Sequence, residues 1–116
     1  MIHIKDAEIA AAMLRVPFQN EVIEVLSDID DMGNAIEGLP GVVITSAYRD
    51  GDPGTHGTIP CRSLDLRKTK WSELICDSIN EEWEYDYKRP TLKCASIHGE
   101  HPHIHLKVHA NTKRRA

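Results

Sequence analysis

The chain has 116 residues, is 41% hydrophobic and carries a formal net charge of −4. That is enough for one domain with a modest core, and it is not the balance of a general nucleic-acid binder. No apolar run reaches the ~18 residues that would cross a bilayer. The first stretch, Met1 to Arg15, is interrupted by Asp6 and Glu8 and does not read as a secretory signal, so a cytoplasmic product is expected, or one exported by a route not written in the chain. Cys61, Cys76 and Cys94 show no C-x-x-C spacing and imply neither a disulfide framework nor a cysteine-rich zinc knuckle.

In chain order, Asp6 is placed to cap a short helix through "AEIAAAMLR". Pro17 is expected to open a second helix, whose apolar face is Phe18, Val22, Val25, Leu26, Ile29, Met32 and Ile36. "GLPG" (38–41) breaks that pattern, and the β-branched run "VVITSAYR" (42–49) reads as a strand. "DGDPGTHGTIP" (50–60) is a loop, and "RSLDLR" (62–67) alternates as a half-buried strand does. Thr69 is expected to cap a third helix, with Trp71, Leu74, Ile75, Ile79 and Trp83 along its apolar side as core residues. Pro90 stops further helix. Two strands, 91–97 and 103–109, follow around "HGEHP", and the terminal "KRRA" reads as a frayed, solvated tail. This order predicts a single α+β domain spanning 1–116, with helices packed on one face of a small, mostly antiparallel sheet.

Four of the seven histidines fall within "HPHIHLKVH", residues 101–109. Side chains alternate across a strand, so His103, His105, Lys107 and His109 share one face, and Ile104, Leu106 and Val108 share the other. In "RSLDLR" the same logic turns Leu64 and Leu66 inward and sets Ser63, Asp65 and Arg67 on the opposite face. If the two strands are neighbours, they offer His and Asp on a common polar surface. An H-x-H pair alone carries little weight.

The segment "SAYRDGDPGTHGTIPCRSLDLR" (46–67), taken with "HIH" (103–105), resembles the LAS group of zinc peptidases and looks closest to its M15-type branch. That group includes D-Ala-D-Ala carboxypeptidases, phage L-alanyl-D-glutamate endopeptidases, lysostaphin-type enzymes and the hedgehog signalling domain. "SAYR" (46–49) matches its strand end, His56 its next histidine, "CRSLD" (61–65) its G-R-A-x-D element and "HIH" its final H-x-H. The resemblance implies a hedgehog-like or D-Ala-D-Ala-peptidase-like fold, a zinc ion and three ligands: His56, Asp65 and His105. It also implies His103 or Glu100 as general base, and Arg49 as a contact for a substrate carboxylate or a developing oxyanion. Two imidazoles and one carboxylate leave a tetrahedral position open, as catalytic zinc requires. The chain departs from the group at Cys61, Ser63 and Gly54, and "GTIP" widens the gap between His56 and Asp65. Cys61 reads as a small buried filler. His98, His101 and His109 read as bystanders.

The implied function is hydrolysis of peptide bonds in peptidoglycan stem peptides by a phage or prophage product, a lysis or virion-associated enzyme. The implied partner is a peptidoglycan peptide, with no nucleic acid and no membrane, and the protein is expected to be a monomer. Two other classes stand beside this one. One is a non-catalytic zinc-binding module of the same fold. The other is a histidine-triad nucleotide hydrolase or transferase, suggested by "HPHIHLK" and weakened by Lys107 and by the lack of a glycine-rich continuation.

Overall fold

The computed structural model describes residues 2–35 and 41–116. Its elements run β1 (Ile2–Ile4), α1 (Ala7–Arg15), α2 (Asn20–Ala35), β2 (Val42–Ser46), β3 (Ser63–Arg67), α3 (Ser72–Glu82), β4 (Trp83–Glu84), β5 (Ala95–His98), β6 (His103–Lys107) and β7 (Lys113–Arg114). The architecture is α+β, as the element order predicts. A mixed sheet has the order β1-β2-β3-β6-β5, and β4 pairs with β7 in a second, two-stranded sheet. In the larger sheet only the β1–β2 contact is parallel.

The central strands separate two chemistries. On β3 and β6, Leu64 pairs with Leu106 and Leu66 with Ile104. All four are buried to 1% exposure or less. They join one core cluster with Val22, Val25, Leu26 and Ile29 of α2 and with Ile75, Cys76 and Ile79 of α3. Residues directly opposite in an antiparallel pair point to the same side. The alternate positions, Asp65 opposite His105 and Arg67 opposite His103, therefore lie on the other face of the sheet. The predicted division of both strands into an apolar and a polar face is observed, but β3 is buried on both faces from Ser63 to Leu66 rather than half-buried, because the loop carrying Thr55 and His56 covers its polar side.

Several expected details change. Asp6 does cap α1, its Oδ1 accepting from the Ile9 amide at 3.0 Å. Pro17 does not open α2, which starts at Asn20. The backbone of 17–19 is taken by Cys61, which donates its N–H to the Pro17 carbonyl and accepts from Gln19 N–H, each at 2.9 Å. Ile36 and most of "GLPG" lie outside the described residues. Thr69 does not cap α3 directly: its Oγ1 accepts from Trp71 N–H at 3.2 Å, and the helix begins at Ser72. Leu74 is exposed because the buried face of α3 runs through Ser72, Ile75, Cys76 and Ile79, and Leu74 is about 100° round from Ile75. Trp83 is buried but stands in β4, one residue past the helix.

The strands are shorter than the apolar runs. Residues 91–94 belong to a turn region and β5 begins at Ala95, where the Asn80 side chain both donates to Ala95 O and accepts from Ala95 N. That pair of bonds covers part of an otherwise open sheet edge. The polar face of β6 ends at Lys107, and His109 turns away on a bond from its own N–H to Thr112 Oγ1 at 2.7 Å.

The basic tail is ordered rather than frayed. Arg114 donates to both oxygens of Asp28, at 2.8 and 3.0 Å, and its guanidinium lies 4.4 Å from the centre of the Trp83 ring. Trp83 Nε1 also donates to Asp28 at 2.9 Å. A planar cation that can both stack and bond bidentately explains why this tail is held. The strands β1, β4 and β7 are too short to leave an alternating pattern in the sequence. Among the described residues no helix is long and apolar enough to cross a membrane, and all three cysteines are free and buried. Burial pushes the thiols of Cys76 and Cys94 up to about 11.

Leu106 lies on the back of β6, directly behind the polar face. Truncation to alanine should cost about 2–5 kcal/mol in urea-induced unfolding, because the packed core closes only partly over the void. A cost below about 1 kcal/mol would show that the site strand does not depend on this core.

Candidate metal centre

β3 and β6 bring Asp65 and His105 together as register partners. His105 Nδ1 lies 2.8 Å from Asp65 Oδ1. His56 arrives from the loop, in a short 3-10 turn at Thr55–Gly57, and sets its Nε2 3.1 Å from the same oxygen. His56 is 4% exposed and Asp65 7%. The His56 and His105 rings are tilted against one another with centroids 5.2 Å apart.

The tautomer of His56 follows from its other nitrogen. Nδ1 is 2.7 Å from the Ala47 carbonyl, which can only accept, so Nδ1 carries the proton. In the neutral ring Nε2 then presents a lone pair to a carboxylate that is itself an acceptor. Nothing within this contact supplies a hydrogen unless the ring is charged. A cation placed between the two resolves the conflict, and a carbonyl on the remote N–H is the usual way a histidine ligand is oriented. Burial by itself would raise the Asp65 carboxyl, but in metal-free protein a hydrogen bond from His105, and one from His56 when its ring carries both protons, outweigh it and hold the group well below the usual carboxylate range.

The donor set fits a small divalent ion. One nitrogen each from His56 and His105 and one oxygen from Asp65 lie within 4.8 Å of one another. Donors bound to tetrahedral zinc at about 2.0–2.2 Å stand about 3.4 Å apart, slightly wider than the 2.8 and 3.1 Å observed. A modest opening of the three side chains accommodates the ion. A second group, His98, His103 and His105, meets the same criterion of mutual reach.

The loop that carries His56 is tied down by its own backbone. Arg49 N–H donates to the His56 carbonyl at 2.8 Å. Asp52 Oδ1 accepts from Gly54 N–H at 2.7 Å, and its Oδ2 pairs with Arg49 Nε at 3.4 Å. Gly57 passes so close to Asp52 that an added Cβ would stand 1.9 Å from the Asp52 carbonyl oxygen. The hydroxyls of Ser63 and Thr55 bond to each other and tie the loop to β3. Cys61 fills the space beneath, fully buried, its thiol near the carbonyls of Thr55, His56 and Ser63. A register shift between Ile44 and Ser46 of β2, just before Ala47, is of the kind that re-aims a strand beside a site.

The other sequence candidates fall at different distances. His103 Nδ1 donates to the His101 carbonyl at 3.1 Å, and its Nε2 faces Asp65 Oδ1 at 3.7 Å. Gly99, at φ +101°, makes room for that ring: a Cβ there would lie 3.0 Å from His103 Cε1. Glu100 is exposed in the turn between β5 and β6. Arg49 is half exposed and paired with Asp52, beside a cleft of about 300 Å³ that it shares with Glu8, Arg15 and Tyr48. His101 is exposed, and His109 accepts from Asn111 N–H at 3.1 Å.

Three neighbours of these residues were given no role by the sequence reading. The Ala47 carbonyl carries no side-chain signal. Ser63 was visible only as a polar residue on the correct face. His98 pairs with His103 across β5 and β6 and packs its ring edge-on against His103 and His105, at 4.9 and 4.8 Å. The strand alternation of β5 could have found it. Burial, followed by the neighbouring His105 and His103, holds the His98 imidazole below its ordinary value. Comparisons with protein-family models, with curated proteins and with solved structures find no match to this chain.

Gly57→Ala should cost about 1–3 kcal/mol, because the new methyl group meets backbone rather than a movable side chain. Thermal unfolding of the variant measures this, and an unchanged midpoint would mean that the loop path differs. The Asp65 carboxyl of metal-free protein should titrate below the ~3.9 of an ordinary aspartate. Its folded-state value is depressed, so its contribution to stability is complete above about pH 4 and is lost as the pH falls through that lower value. A carboxyl-carbon NMR titration with its midpoint at or above 3.9 would contradict the pairing.

Proposed function

We propose that the protein is a zinc-dependent peptidase of the LAS type that cleaves peptidoglycan stem peptides. The observation that carries this reading is the meeting of His56 Nε2 and His105 Nδ1 on one oxygen of buried Asp65, with the His56 proton committed to Ala47. The ordered resemblance of "SAYR", His56, "CRSLD" and "HIH" to that group supplies the reaction class.

His56, Asp65 and His105 would hold the ion, and the Ala47 carbonyl would keep His56 turned toward it. Zinc bound there supplies Lewis acidity toward a carbonyl group and makes water acidic near pH 7. His103 keeps its proton on Nδ1 through the His101 carbonyl, which leaves the Nε2 lone pair facing the site. That nitrogen can accept the proton of attacking water and return it to the departing amine. Glu100, exposed in the turn between β5 and β6, is the alternative base. Arg49 would take a substrate carboxylate by exchanging it for Asp52.

One observation favours a non-catalytic module instead. His103 Nε2 lies only 3.7 Å from Asp65 Oδ1, so a small shift would make it a further ligand and close the coordination shell, as in structural zinc sites. The two readings differ in what His103→Ala does. In the peptidase the variant keeps its zinc and loses about 10²–10⁴-fold in turnover. In the module it loses zinc affinity, and no peptide is cut by either protein.

Muropeptides digested with the purified protein and resolved by mass spectrometry should show a new amine and carboxylate at one stem-peptide bond. Excess chelator should abolish cleavage and added zinc should restore it. Alanine at His56, Asp65 or His105 should remove both the stoichiometric zinc and the rise in melting temperature that zinc gives the parent, about 2.7 kcal/mol of stabilisation at a hundredfold excess over Kd. Cleavage that persists in excess chelator would defeat the reading.

A further inference from the structure

Antiparallel pairing places His98 of β5 opposite His103 of β6, and residues so paired share a face. His105 follows His103 two positions on and returns to that face. One nitrogen from each of His98, His103 and His105 lies within 4.8 Å of the others. Three imidazoles at that reach, all on the rigid backbone of two paired strands, form a nitrogen-only donor set suited to a borderline-soft divalent ion. His98 is exposed and His103 and His105 are half-buried, so the group is open to solvent.

We infer that His98, His103 and the shared His105 form a second, weaker zinc site whose filling removes His103 from catalysis. The binding part stands on these three histidines alone, whereas the inhibitory part rests on the peptidase reading above. The weakness has a chemical cause. A neutral imidazole has one lone pair, and His105 directs its Nδ1 at Asp65. With the first site filled, the second ion is held chiefly by His98 and His103. The inhibition has a cause of the same kind. His103 Nδ1 is protonated against the His101 carbonyl, so Nε2 carries its only lone pair. An ion on that nitrogen takes the electron pair that would otherwise accept a proton.

Zinc titration of the metal-free full chain, followed by calorimetry with a competing chelator, separates the two sites without reference to activity. The wild type should show a tight event and a second event weaker by about tenfold or more. His98→Ala, a change at an exposed residue, should delete the weaker event alone and leave the melting temperature of the singly loaded protein unchanged. His56→Ala should delete the tight event and retain the other, strengthened because His105 is released to it. With muropeptide as substrate, excess zinc should inhibit the wild type and should not inhibit His98→Ala. A single event in the wild type that survives in His98→Ala overturns the second site and leaves the proposed function standing. A single event that survives in His56→Ala and vanishes in His98→Ala overturns the proposed centre and leaves this one. Two events with equal inhibition of both proteins by excess zinc overturn the inhibitory role.

Discussion

A carboxylate buried on a sheet face, with an imidazole lone pair aimed at it, is an unstable arrangement by itself. Asp65 Oδ1 receives His56 Nε2 and His105 Nδ1 at 3.1 and 2.8 Å, and the Ala47 carbonyl claims the only proton of neutral His56. Burial of such groups is costly unless a positive charge joins them. In metal-free protein, protons on the rings can serve. The same donor atoms lie close enough together to hold a divalent ion in place of those protons. The loop, the central strands and the bulged strand before Ala47 are all arranged around this point.

The fold keeps the cost of that arrangement away from the core. β3 and β6 lie inside the sheet, where their backbones are held on both sides, and their leucines and isoleucine pack against α2 and α3. The polar side chains on the opposite face inherit that rigidity. Functional groups on strand interiors are positioned more tightly than groups on loops. His56 is the exception, since it comes from a loop, and the loop compensates with an Asx-type bond at Asp52, a close backbone approach at Gly57 and hydroxyl contacts to β3. Cys61 belongs to this support: its backbone pairs with residues 17–19 and its side chain fills the floor below His56.

The histidines beyond the first three form a graded series. His105 touches Asp65 directly. His103 stands one step further out, its proton fixed by the turn backbone and its space opened by Gly99. His98 stands further still, in ring contact with both. Lone pairs clustered so closely favour ions over solvent, and they also make the proposed base vulnerable to the same kind of ion that the centre would use.

Much of this was legible before any coordinates. The alternation in "RSLDLR" and "HIHLKVH" separated the apolar face from the polar one, because a strand has a period of two; it did not show that the His56 loop buries the polar face of β3 as well. The helical spacing of α2, the Asp6 cap and the α+β class could be stated from residue order, whereas the grouping of His56, Asp65 and His105 came only as what the resemblance to the LAS group implied. Local pattern could not say where α2 begins, because Cys61, far along the chain, occupies the backbone of 17–19. Nor could it say that the terminal basic residues dock, because Asp28 and Trp83 meet Arg114 only after folding. It also passed over His98 and the Ala47 carbonyl. A backbone oxygen has no letter in the sequence, and a histidine at a strand end gains its meaning from the residue paired with it, a relation that only the register of β5 on β6 decides.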